Sequence, residues 1–175
     1  YSNLGDDYKA KELNEQSLLI REAVYGKNHP YYATSLNNLA FNYSNIGDDY
    51  KAKELNEQVL LICEELYGKN HPYYATSLNN LALNHSKLGD DNKAKELNEQ
   101  ALLINESIYG KNHPEYALSL SNLAMNYSNL GDDNTAKELN EKVLLIREEV
   151  YGKNHPEYAT SLNNLALNHS KLGDD

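Results

Sequence analysis

The sequence predicts an all-α fold, an α-solenoid in which antiparallel helix pairs stack as a right-handed superhelix. Three observations lead there. The hexad Tyr-Gly-Lys-Asn-His-Pro begins at Tyr25, Tyr67, Tyr109 and Tyr151, a constant period of 42 residues. Glycine and proline occur only at fixed places in that period, and between them apolar residues recur at spacings of three and four. A fixed period of this length marks a repeat array, in which each unit buries its apolar face only against its neighbours.

The repeats run over 8–49, 50–91, 92–133 and 134–175, preceded by a seven-residue partial unit, so the 175 residues form one stack. The first two units are identical at 34 of 42 positions. Tyr1 in place of methionine suggests an excerpt from a longer protein. Each Gly-Asp-Asp should turn one helix into the next. Glycine supplies the positive φ, and the acidic pair caps free amides at the positive end of the following helix. Gly5 is assigned the same turn, ending a truncated first helix.

The helix after Gly-Asp-Asp, called B, carries Ala52, Leu55, Val59, Ile62 and Leu66 on one stripe, while Lys51, Lys53, Glu54, Glu57 and Glu64 belong to a solvated face. Helix A starts at Pro30, Pro72, Pro114 and Pro156, since proline suits a first turn. Its stripe is Leu36, Leu39, Tyr43 and Ile46, with Ala40 small enough for close helix approach. Connections of a few residues force the pair antiparallel. Asn56 and its equivalents Asn14, Asn98 and Asn140 fall on the B stripe. A buried amide there needs a partner, so a hydrogen bond across helices is expected at each.

Within the unit, Leu36-x-x-Leu39-Ala40-x-x-Tyr43, then Gly47 and Ala52, resembles the tetratricopeptide repeat (TPR). The period is eight residues longer than that family's usual 34. With Asn-Asn-Leu-Ala in helix A and Gly-x-x-His-Pro in the loop, it is similar to the kinesin-light-chain type. Asn56 stands where that family usually has an aromatic residue.

The resemblance implies a protein-interaction scaffold whose A helices hold an extended peptide or a partner helix on the concave face. Carried over by position, the clamp-like asparagines are Asn38, Asn80, Asn122 and Asn164. A helical wheel puts Phe41, Leu83, Met125 and Leu167, then Asn45, Lys87, Asn129 and Lys171, on the same open face, opposite the Leu36 stripe. Two lysines give at most a weak preference for anions. An architectural or self-stacking array without a dedicated ligand, or the sensor segment of a larger signalling protein, remains the alternative reading. Unshielded apolar faces on the first and last helices would permit head-to-tail self-association.

Other chemistries fit poorly. A net charge of −10, from 16 Lys and Arg against 26 Asp and Glu, opposes nucleic-acid and anionic membrane surfaces. No apolar run approaches the roughly 18 residues of a membrane span. His29, His71, His113 and His155 recur one per repeat. Packed helices lie about 8–10 Å apart, too far for equivalent side chains to share a zinc with bonds of roughly 2 Å. The structural role is to cap helix A. Gly-Asp-Asp offers too few oxygens for calcium, and neither a catalytic base beside Cys63 nor a phosphate-cradling loop is present. The expectation is no enzyme, no cofactor and no metal. A single cysteine fits a reducing, cytoplasmic setting; Cys63 aligns with Arg21, Asn105 and Arg147 and is therefore expected to be exposed. Five Asn-x-Ser matches, at Asn42, Asn84, Asn105, Asn126 and Asn168, lie in expected helices and are attributed to chance.

Overall fold

The computed structural model describes residues 4–173. Among them are eight α-helices and no strand: α1 (Leu4–Tyr25), α2 (Pro30–Asn45), α3 (Asp49–Tyr67), α4 (Pro72–Lys87), α5 (Asp91–Tyr109), α6 (Pro114–Asn129), α7 (Asp133–Tyr151) and α8 (Pro156–Leu172). Odd-numbered helices are B and even-numbered are A. The chain divides into two compact units, Tyr1–Asp90 and Asp91–Asp175. In the first, α1 to α4 pack consecutively, and in the second α5 to α8 do the same, which makes this an all-α solenoid of helix pairs.

Local chemistry sets the helix ends. Asp48 Oδ1 accepts from the Lys51 N–H at 3.0 Å, capping α3. That helix stops at Gly68, whose φ of 77° is a conformation that other residues adopt only under strain, and whose N–H returns to the Glu64 carbonyl. His71 Nδ1 accepts from the Tyr73 N–H at 3.1 Å, so the repeated histidine caps α4 just before Pro72. Its ring stacks on Tyr67 with centroids 4.6 Å apart, tying the end of one helix to the start of the next. His29, His113 and His155 cap in the same way.

Gly5 behaves differently from the expectation. Helix α1 is continuous from Leu4 and takes Gly5 into its first turn. Among the described residues no helix precedes α1, and Leu4, Gly5 and Asp6 form the start of this B helix.

The two stripes meet as expected. In the first unit Leu36, Leu39, Ala52, Leu55, Val59 and Leu78 are buried, and Tyr43, Ile46 and Ile62 line the margin. In the second, Ala117, Leu120 and Val143 form a cluster flanked by Leu102, Tyr116, Leu139 and Ile146. Lys51–Glu54 and Lys53–Glu57 ion pairs lie on the exposed side, where such pairs add little stability.

Across this apolar seam runs one polar device. Asn56 Nδ2 donates to Asn84 Oδ1 at 2.5 Å, Asn98 to Asn126 at 2.5 Å and Asn140 to Asn168 at 2.6 Å, all buried. Asn14 makes the same bond to Asn42 at 2.5 Å from a half-buried position. In each case the partners are 28 residues apart, so every B helix is locked to the A helix that follows it. The asparagines of the five Asn-x-Ser matches all lie inside helices and are buried.

Candidate peptide-binding groove

Burying the A stripe leaves the opposite side of each A helix in solvent. Thr34, Asn38, Phe41 and Asn45 are exposed on α2, and Leu83 and Lys87 on α4, while Asn80 is half-buried between the two helices. Asn80 Nδ2 lies 3.4 Å from Asn37 Oδ1, linking α4 to α2. A cavity of about 140 Å³ follows, bounded by Phe41 and Asn45 of α2, Asn80, Leu83 and Lys87 of α4, and Asn56 of α3 behind them. Asn38 stands on the same helix outside this cavity. A second, larger hollow of about 390 Å³ lies at the other end of these helices. Pro30, Tyr31, Thr34, Tyr73 and Thr76 surround it, with Cys63 behind.

The second unit repeats the arrangement. Met125 and Asn129 of α6 and Asn164, Leu167 and Lys171 of α8 enclose about 230 Å³, with Asn140 of α7 reached between the two A helices. Asn122 is half-buried on α6 and does not line this cavity. Ten of the twelve residues singled out in the sequence thus gather in two cavities, five in each unit.

The electrostatics of these cavities are set by an alternation that single repeats conceal. Helix A ends in Tyr-Ser-Asn in the first and third repeats and in His-Ser-Lys in the second and fourth. Lys87 Nζ donates to Ser44 Oγ at 2.6 Å and lies 3.7 Å from Asp49 Oδ1, itself the acceptor of a 2.7 Å bond from Ser44. Lys171 repeats this with Ser128 at 2.6 Å and Asp133 at 3.6 Å. Asn129 reaches Asp91 at 2.9 Å in the same sense. The A-helix terminus therefore reaches back to the first acidic residue of the preceding B helix, and both lysine charges are compensated internally. Asp49 and Asp133 were expected only as part of the acidic pair that caps helix B, and neither they nor Ser44 and Ser128 were expected to hold the end of a following A helix. The two-repeat alternation was the signal that could have found them.

The residue aligned with Cys63 corrects an expectation. Cys63, Asn105 and Arg147 are 5%, 3% and 5% exposed, and Arg21 is half-buried. Each polar version is satisfied by the first two turns of the next A helix. Asn105 Nδ2 donates to Ser119 Oγ at 2.9 Å, and Arg147 donates to Ser161 Oγ at 3.0 Å while pairing with Glu157 at 3.0 Å. Arg21 reaches the Tyr31 carbonyl at 2.9 Å. The site accepts an apolar thiol or a long polar side chain because the neighbouring turn offers both packing and acceptors. Among the described residues no group of three or more His, Cys, Asp or Glu is placed to hold a metal, and no helix is long and apolar enough to cross a membrane.

Burial pushes the Cys63 thiol above its usual range, against a smaller opposing effect of Ser77. Less thiolate and less access both slow alkylation. Iodoacetamide at pH 8 should therefore modify the folded chain at least about tenfold more slowly than the chain in urea; equal rates would mean that Cys63 is open to solvent.

The profile of the tetratricopeptide repeat matches residues 1–60, 37–107, 92–144 and 119–175. Among solved structures, the chain is similar to a Podosopora anserina protein described as a candidate kinesin light chain with nearly identical TPR-like repeats. It is 30% identical, covers 97% of this chain and 80% of that one, and gives a TM-score of 0.82. BtubC (BKLC) from P. vanneervenii is 26% identical, covering 97% of this chain and 68% of that one at a TM-score of 0.83. The Sgt2 TPR domain of Aspergillus fumigatus, 23% identical over 83% of this chain and 82% of that one with a TM-score of 0.59, shares the fold. No curated protein matches the sequence. With family matches spanning the whole chain, the protein belongs to the tetratricopeptide repeat family.

Proposed function

We propose that the protein is a non-catalytic interaction scaffold whose four repeats act as one stack and hold an extended peptide or partner helix along the exposed side of the A helices. The observation that carries this is the recurrence of one composite cavity in both units. Each has an apolar wall, Phe41 and Leu83 or Met125 and Leu167, beside an amide, Asn80 or Asn164, that can donate to and accept from a peptide backbone. A cytoplasmic setting accompanies this reading, on the strength of a single, buried cysteine. Phage-displayed random heptapeptides test it. The natural chain should enrich binders. A variant with Asn38, Asn80, Asn122 and Asn164 all changed to Ala should enrich none, while its thermal midpoint stays within a few degrees. Enrichment of the same peptides by that variant would show that this face is not the binding site.

A second reading, self-association of this 175-residue chain, is favoured by its first and last helices. Leu162 of α8 is 44% exposed where its equivalent Leu36 is 1% exposed, and Leu13 of α1 is 54% exposed where Leu55 is 5% exposed. The α2–α3 packing within the first unit is the template for docking the α1 of one copy on the α8 of another, a head-to-tail contact that does not close. Sedimentation should show mass rising with concentration for the natural chain and not for Leu162→Glu. A strict monomer at high concentration would rule this contact out.

A further inference from the structure

The aromatic contacts between helices B and A are built identically in the first two repeats and finished differently. Tyr25 and Tyr31 meet edge-on with centroids 5.2 Å apart at 64°, and Tyr67 and Tyr73 meet at the same distance and angle. Over Tyr31 the chain lays its own cation. Arg21 Cζ is 5.8 Å from that ring centroid, and Arg21 Nη1 donates to the Tyr31 carbonyl at 2.9 Å. At the aligned position of the second repeat stands Cys63, which brings no cation. Among the described residues no cation lies over Tyr73, which is 58% exposed. The 390 Å³ hollow between α2 and α4 opens there, with Tyr31, Tyr67 and Tyr73 among its walls.

Building on the groove reading, we propose that this hollow takes a guanidinium, the side chain of an arginine in the bound peptide, laid on Tyr73 as Arg21 lies on Tyr31. The groups it must meet are at the surface: Tyr73, Thr34 and Thr76 are all exposed. Each threonine hydroxyl donates its hydrogen to the proline carbonyl four residues back, Thr34 to Pro30 and Thr76 to Pro72 at 3.0 Å each, so its lone pairs are what a ligand meets. A guanidinium is the complement, with five N–H donors, no acceptor, a positive charge and a flat face for the ring. The residues that line the hollow carry no charge, and the chain's net charge of −10 favours the approach of a cation. Competing side chains fit less well. A carboxylate would bring lone pairs against the threonine lone pairs and the negative face of the tyrosine ring. An ammonium has no flat face to stack, and a neutral urea group of the same shape lacks the charge. Asn37 borders both this hollow and the groove cavity beside Phe41 and Leu83, so the two are continuous along α2.

The test uses the uniformly 15N-labelled 175-residue chain and four pentapeptides with acetylated and N-methylamidated ends, two alanines on each side of a central Arg, Lys, citrulline or Glu. The Arg peptide should shift the amide signals of Thr34, Tyr73 and Thr76 and bind about tenfold more tightly than the Lys or citrulline peptide, with Glu weakest. Cys63→Arg supplies the missing guanidinium from within the chain, as Arg21 does, and should lower the Arg peptide to the citrulline level. Tyr73→Leu, a change at an exposed ring, should do the same and decides the matter if Cys63→Arg does not fold. An Arg preference that survives the substitution would place the guanidinium elsewhere and overturn the site. Equal affinities for Arg and citrulline, or for Arg and Lys, with shifts at Phe41 and Leu83, would overturn the guanidinium site and leave the groove reading standing. An absence of shifts at any A-helix residue, for all four peptides at millimolar concentration, would overturn both.

Discussion

The structure depends on the buried bond between two asparagine side chains that joins each B helix to the A helix after it. Apolar stripes alone would hold these helices together in several registers, because leucine packs against leucine after a slide of one turn with little loss. The amide pair removes that freedom. A displaced Asn56 or Asn84 would leave buried donors and acceptors unsatisfied, at about 1–3 kcal/mol for each group. Once the register is fixed, so is the rotation of helix A, and with it the side that remains in solvent. The groove is a consequence of the lock.

Around that lock the repeats tolerate variation only where the neighbouring turn can answer it. Arg21, Cys63, Asn105 and Arg147 occupy one position with three different chemistries, and the first two turns of the next A helix satisfy each polar version with a carbonyl or a serine hydroxyl. The alternation of Asn and Lys at the end of helix A works similarly. Lys87 and Lys171 are tolerated at the edge of an otherwise neutral groove because Asp49 and Asp133 lie within 4 Å. Here the near-identity of the repeats reflects shared packing demands, and the differences fall at positions with a local solution.

Most of the fold was legible because its punctuation is local. Gly68, Asp48, His71 and Pro72 act on residues within four positions of themselves, so spacing alone reveals their roles. Asn56 was legible for a different reason: a polar residue on an apolar stripe demands a partner. Cys63 was misread because its aligned residues include arginine, which from sequence alone argues for a surface. Its burial depends on acceptors ten and fourteen residues away, placed by the turn into the next helix. The open face of helix A could be read from its periodicity, but not the cavities, which depend on the spacing between successive A helices. Nor could the sequence show that Asn140 Oδ1 is buried without a partner among the described residues.

A double-mutant cycle on Asn56 and Asn84, measured by urea unfolding of the single and double alanine variants, tests the register lock most directly. The account predicts that each single change destabilises the chain by about 1–3 kcal/mol by stranding the other amide. The double change should then cost at least about 1 kcal/mol less than the two added together. Additivity within about 0.5 kcal/mol would contradict it, because the two asparagines would then contribute independently and the bond between them would not hold the helix pair in register.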